Sequence, residues 1–192
     1  MNRLLTLSDV LASHARLKPD AIGVRDSRRE MSFSAWNNRA SRLANGLLAL
    51  GLRKGDRVAV LAFNCVEWME IYAAMARAGL VVVPINFRLT APEVAYILGD
   101  AEARCVIAQT ALTDRVAAPG VAPDLVRISM GTEPLDGWQD YEQLIETASQ
   151  QAVPVTVPPS DTSALMYTSG TTGKPKGVIR SHEGSTLIAM AT

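Results

Sequence analysis

An α/β fold, with a mostly parallel sheet flanked by helices on both faces, is what this 192-residue sequence predicts. Short apolar runs recur at residues 57–62, 80–85, 104–108 and 125–128, of the kind that lie buried on both faces of a parallel sheet. Between them stand segments whose apolar residues repeat at three- and four-residue steps, as on a helix. The two patterns alternate several times. That alternation implies right-handed crossovers between neighbouring parallel strands.

Residues 7–17 place Leu7, Val10, Leu11 and Leu17 behind Ser8 and Asp9, as a short amphipathic helix does, with His14 on its polar side. Residues 21–25 and 30–33 flank the polar Asp26-Ser27-Arg28-Arg29 and read as a hairpin. Over residues 34–50, Trp36, Ala40, Leu43, Ala44, Leu47 and Leu48 form the clearest helical stripe, with Gly51 placed to cap its end. Gly55-Asp56 turns the chain into the 57–62 strand, and a helix over about 66–78 follows, with Asn64 as its expected cap. The 80–85 strand is expected to close at Pro84. Thr90-Ala91-Pro92-Glu93 is a capping box with proline in the first turn, opening a helix expected to run to about Leu98, before Gly99. Residues 112–117 then read as a short helix, 130–139 as turns, and 138–148 as an amphipathic helix. Trp36, Trp68 and Trp138 each fall within a helical pattern, which makes them core anchors rather than stacking platforms. Pro154, Pro158 and Pro159 mark residues 150–160 as a connector.

The chain is 48% hydrophobic and 20% charged, enough to bury a core. Nineteen basic residues balance nineteen acidic ones, so nothing in the charge points to nucleic acid or an acidic membrane surface. Any affinity for an anion must come from a local site. The first residues lack the apolar core and cleavage site of a signal peptide, and no apolar run reaches membrane-spanning length. Cys65 and Cys105, far apart and without metal-ligand spacing, read as buried free thiols of a cytoplasmic protein.

One stretch gathers anion-binding groups: Tyr167-Thr168-Ser169-Gly170-Thr171-Thr172-Gly173-Lys174-Pro175-Lys176-Gly177-Val178. Three glycines, four hydroxyls and two lysines lie between two apolar runs, which predicts strand, loop, strand. Glycine admits positive φ and close approach, so successive N–H groups can converge on an anion. The hydroxyls add donors and the lysines add charge, a set suited to polyphosphate. A flexible linker is the plainer reading of such composition, but linkers seldom alternate glycine and hydroxyl so tightly between strand-like runs. It is not a Walker A loop, since only two residues separate Gly170 from Gly173 and Pro175 stands where Ser or Thr is needed.

Residues 165–176 resemble, at every position, the AMP-binding signature of the adenylate-forming superfamily, which includes acyl- and aryl-CoA synthetases, luciferases and peptide-synthetase adenylation domains. The resemblance extends upstream through residues 51–58, the turn at 64–67, Ala78-Gly79 and residues 84–89, which look like the amino-terminal subdomain of acyl-CoA synthetases. It implies residues 1–158 as that α/β subdomain and 159–192 as the start of the nucleotide-binding core. By resemblance, Thr168, Ser169, Gly170, Thr171, Thr172, Gly173 and Lys176 hold the pyrophosphate part of ATP. The parent protein is then expected to be an ATP-dependent carboxylate:CoA ligase using Mg2+, with a small carboxylic acid, ATP and CoA as partners. Another adenylate-forming enzyme, or a non-catalytic α/β piece, remains the alternative.

The chain ends inside the apolar, helix-like stretch 184–191, with Ser181 as its candidate cap and Glu183 suited to its amino-terminal dipole. That ending is expected of a truncated, inactive fragment, with self-association near Leu187 and Ile188. The resemblance places the adenylation lysine beyond this chain, so no catalytic or metal-ligating residue is assigned within it. His182 sits where relatives often place a histidine, but a residue beside a helix start is the simpler account of it.

Overall fold

In the computed structural model, residues 6–117, 120–168 and 174–191 are described, with the side chains of 188–191 excepted. Helix α1 (Leu7–Leu17) leads into the antiparallel hairpin β1 (Ile22–Arg25) and β2 (Glu30–Ser32), then α2 (Phe33–Ala49). There follow β3 (Arg57–Leu61), α3 (Glu67–Ala78), β4 (Val81–Ile85), α4 (Ala91–Asp100), β5 (Cys105–Gln109), a 3₁₀ turn (Thr110–Val116) and β6 (Val126–Met130). The short β7 (Gln139–Asp140), α5 (Tyr141–Thr147), β8 (Thr162–Thr168), β9 (Lys176–Ser181) and α6 (His182–Ala191) complete the order. β3 to β9 form one sheet in the order β7-β6-β5-β3-β4-β8-β9, parallel throughout except for the β8–β9 hairpin.

Alternation along the strands sorts the core. Val58 and Val60 of β3, Val82 of β4 and Cys105 and Ile107 of β5 pack with Leu43 and Leu47 of α2, Ile71 and Met75 of α3, and Tyr141 and Ile145 of α5. Ala59 and Leu61, Val83 and Ile85, and Val106 and Ala108 point the other way, onto Val94 and Ile97 of α4 and Leu112 and Val116 of the 3₁₀ turn. Helices therefore cover both faces, as the uninterrupted apolar runs predicted. A third cluster, with Leu11, Met31, Trp36, Val66 and Ala73, attaches α1 and the hairpin to α2 and α3.

Several local expectations give way to better partners. Asn64 does not cap α3; the Asp26 carboxylate, from the β1–β2 turn, accepts from the Val66 N–H at 3.0 Å. Backbone N–H groups of Arg29, Arg28 and Val66 hold the Asp26 carboxyl down at about 2. Strand β4 runs through Pro84, opposite Val60, to Ile85. Among the described residues β4 pairs with β8 only at Val82↔Ala164, so the missing proline N–H falls beyond that ladder. Helix α4 passes Gly99 to Asp100 and closes at Glu102, whose φ of 47° lets the Glu102 and Ala103 N–H groups donate back to the Gly99 and Leu98 carbonyls at 3.0 and 2.9 Å. Arg57 braces this turn by donating to the Ala101 and Glu102 carbonyls at 2.7 and 3.0 Å. Residues 138–148 are not one helix. Gln139 and Asp140 pair with β6, and the Asp140 side chain accepts from the Gln143 N–H at 2.7 Å to start α5. Trp36 is buried, whereas Trp68 and Trp138 are half-buried; Cys105 is buried and Cys65 half-buried, both free.

The Glu70 carboxylate, fully buried on α3, ties three elements together. Arg39 of α2 donates to it through Nε at 2.6 Å and Nη2 at 3.1 Å, Arg29 of the hairpin through Nη2 at 3.0 Å, and the Tyr141 hydroxyl of α5 at 2.8 Å. Arg39 Nη2 also reaches Glu142 at 2.8 Å. Removing the carboxylate takes the shared acceptor from both guanidinium groups, which keep Glu142 and Glu67, and leaves the buried Tyr141 hydroxyl without its acceptor. Glu70→Ala is therefore expected to cost about 3–5 kcal/mol in urea unfolding. Tyr141→Phe, which removes one of the donors, is expected to cost about 1 kcal/mol.

Candidate functional site

Because β3, β4, β5, β6 and β8 are parallel, their carboxyl ends open on one edge of the sheet. In open α/β sheets ligands bind outside this edge, where crossovers diverge to opposite faces. The divergence is present here: α3, after β3, packs on one face, while α4 and the 3₁₀ turn pack on the other.

The two ends of the glycine- and hydroxyl-rich stretch, Thr168 and Lys176, stand at this edge. β8 and β9 are the strands expected around that stretch, paired in register from Thr162↔Ser181 to Thr168↔Lys176. Thr168 and Lys176 are thus opposite one another at the mouth of the connection, both exposed. Ser169, Gly170, Thr171, Thr172 and Gly173 lie outside the described residues. Pro175 is half-buried, and the ammonium of Lys174 lies 5.4 Å from the ring centroid of Tyr96 on α4. The Tyr96 hydroxyl contacts the Pro175 carbonyl oxygen at 3.4 Å, and the Tyr167 hydroxyl donates to Asp100, also on α4, at 2.5 Å.

Further along the edge, Phe63 after β3 meets Phe87 after β4 edge-on, with ring centroids 4.9 Å apart, and Arg88 stacks over Phe87. The Phe63 N–H donates to the Gln109 side chain at 2.8 Å, and Arg115 donates to the Phe87 and Leu89 carbonyls. These contacts join residues far apart in sequence, and no local pattern announced them. Burial pushes the Cys65 thiol up to about 12, helped by Glu67, so this cysteine is no thiolate nucleophile. Among the described residues no three His, Cys, Asp or Glu side chains converge to hold a metal ion, and no step is assigned to Mg2+ here. No helix among them is long and apolar enough to cross a membrane.

His182 is at the other end of the hairpin, beyond β9, and its ring is only 4% exposed. It lines a cavity of about 350 Å³ with Leu7, Val10, Tyr72, Met166 and Arg180. Its Nε2 has no hydrogen-bond partner among the described groups. Ser181 caps α6 as expected, its Oγ accepting from the Gly184 N–H at 3.0 Å. Burial lowers the His182 pKa, against the pull of Asp161 and Asp9. The folded protein therefore takes up this proton less readily than the unfolded chain, whose value is about 6.5. Stability is complete above that pH and is lost as pH falls below it. Thermal unfolding between pH 7 and 5 is expected to show a falling Tm, and His182→Asn to remove that slope.

The family model for AMP-binding enzymes matches residues 11–192. A long-chain-fatty-acid–CoA ligase of Mycobacterium tuberculosis, FadD13, is 40% identical over 156 residues, 80% of this chain and 30% of the relative. A feruloyl-CoA synthase of Amycolatopsis is 37% identical over 168 residues, 88% of this chain and 32% of the relative. The crystal structure of the anthranilate CoA ligase AuaEII with anthranoyl-AMP superimposes with a TM-score of 0.92 at 28% identity, over 99% of this chain and 37% of that one. The chain thus spans about a third of the length of the curated relatives it matches. With a parallel sheet, a glycine- and hydroxyl-rich connection at its carboxyl edge, and a family match across nearly all of its length, the chain belongs to the AMP-binding enzyme family.

Proposed function

We propose that this chain is the amino-terminal part of an ATP-dependent carboxylate:CoA ligase and carries its pyrophosphate-holding loop. The observation behind this reading is the place of the motif: Thr168 and Lys176 face each other at the mouth of the 169–175 connection, on the carboxyl edge of the sheet. In the reaction, a carboxylate oxygen attacks the α-phosphorus of ATP, forming acyl-AMP and releasing pyrophosphate. The thiol of CoA then attacks the acyl carbon, forming the thioester and releasing AMP. Thr168, Ser169, Gly170, Thr171, Thr172, Gly173 and Lys176 would hold the β- and γ-phosphates. Their part is electrostatic, stabilising negative charge that builds on the leaving pyrophosphate. Mg2+ enters this reading with the nucleotide.

On this reading residues 1–158 form the amino-terminal subdomain and 159–192 begin the nucleotide-binding core, of a protein that works in the cytoplasm. The chain spans about a third of the relatives' length, and on this reading the acid and acceptor pockets lie outside it and the chain alone is inactive. Among the described residues β9 is the edge of the sheet, with Val178 53% and Ile179 70% exposed, and Leu187 of the following α6 is 50% exposed, which supports self-association of the isolated chain.

Pyrophosphate exchange and thioester formation with a panel of fatty and aryl acids test the reading, on the complete gene product with the 192-residue chain beside it. Lys176→Ala is expected to lower exchange by about 100-fold or more. Near-normal exchange would overturn the loop's role, and exchange without CoA thioester would indicate another acceptor. Sedimentation of the 192-residue chain is expected to show concentration-dependent association that Ile179→Lys abolishes.

A further inference from the structure

β8 reaches the phosphate-holding connection just where its neighbour β4 ends. It pairs with β4 at Val82↔Ala164, a register that sets Ile85, the last residue of β4, beside Tyr167, while its pairing with β9 continues to Thr168↔Lys176. At Thr168, among the described residues, only β9, through Lys176, therefore flanks the strand. A strand end with a neighbour on one side only is a poor platform for a site that must hold charge in fixed places.

The end of α4 meets the β8–β9 hairpin at this point. Asp100 accepts from the Tyr167 hydroxyl at 2.5 Å and from the Tyr96 hydroxyl at 3.3 Å. Tyr96, one turn earlier, contacts the Pro175 carbonyl oxygen at 3.4 Å and lies beneath the Lys174 ammonium. One carboxylate and one ring therefore reach both arms of the connection: Tyr167 on the outgoing arm, Lys174 and Pro175 on the returning one. Gly177 makes room for this, because a Cβ there would lie 3.3 Å from Tyr167 Cζ and 2.9 Å from Leu165 Cδ1.

We propose that Tyr96, Asp100 and Tyr167 form a clamp that positions both ends of the phosphate-holding connection, an inference that rests on the reading of that connection given above. They are positioning residues and touch no phosphate themselves. Burial and the Asp100 carboxylate raise the Tyr167 pKa, so the phenol stays a donor across the neutral range. Gly177 serves the clamp rather than the anion: it is the gap through which the Tyr167 ring crosses to α4.

Hydrogen exchange followed by mass spectrometry on the 192-residue chain reads the clamp directly. Tyr167→Phe and Asp100→Ala are each expected to speed exchange at residues 165–168 and 176–178 by about tenfold, leaving β3 protected as in the parent. The double variant should exchange no faster than either single one, because the two groups act as a pair. Asp100→Asn, which keeps an acceptor oxygen, should restore most of the protection. In the complete gene product, Asp100→Ala is expected to raise KM for ATP and lower kcat of pyrophosphate exchange about tenfold, with KM for the acid unchanged. Unaltered hydrogen exchange in both single variants, or additive effects in the double, overturns the clamp. Lys176→Ala, run in parallel, separates the two ideas: if it exchanges pyrophosphate normally, the phosphate reading fails, whatever the clamp variants do to the amides.

Discussion

Strand β3 has β4 on one side and β5 on the other, and Val58, Ala59, Val60 and Leu61 are wholly buried. A strand buried on both faces needs a helical layer over each, and a parallel neighbour on each side requires two crossovers that leave in different directions. α3 meets the first need and α4 with the 3₁₀ turn the second. The constraint fixes more than the core. It brings every carboxyl end of the parallel strands to one edge, and so decides where a ligand can be met.

The layer over one face is secured by charge as well as by apolar contact. Glu70 is an acidic residue in the middle of an otherwise apolar helix surface, and it is tolerated because Arg39, Arg29 and Tyr141 converge on it from three other elements. A buried carboxylate without those donors would be strongly unfavourable. The network also sets the hairpin against α3, where Asp26 caps the helix from outside. Long-range pairs of this kind hold α2, α3, α5 and the hairpin in one arrangement.

On the opposite face α4 works toward the site. Its Asp100 and Tyr96 meet the β8–β9 hairpin where β4 ends. The sheet therefore sets the direction of the anion-binding connection, and a helix from the other layer sets its lateral position. Rigid elements supporting a loop on two sides are a common way to hold polar groups ready for charge.

Much of this was legible from local pattern. Periodicity alone gave the stripe of α2, the capping box of α4, the doubly buried strands and the strand-loop-strand form of the motif, because each depends on residues within a few positions of one another. Where the reading failed, the deciding partner was mostly distant: Asp26 in place of Asn64 for α3, and the pairing of Gln139 and Asp140 with β6 in place of a longer helix. The end of α4 past Gly99 was instead decided by a left-handed turn at Glu102. The sequence by itself determined the fold class and the glycine-, hydroxyl- and lysine-rich make-up of the stretch between β8 and β9, since residue type and spacing suffice for both. Only the tertiary structure decided what braces that stretch. Asp100 and Tyr167 are 67 residues apart, and a hydrogen bond between them exists only once the crossover has laid α4 against the end of β8.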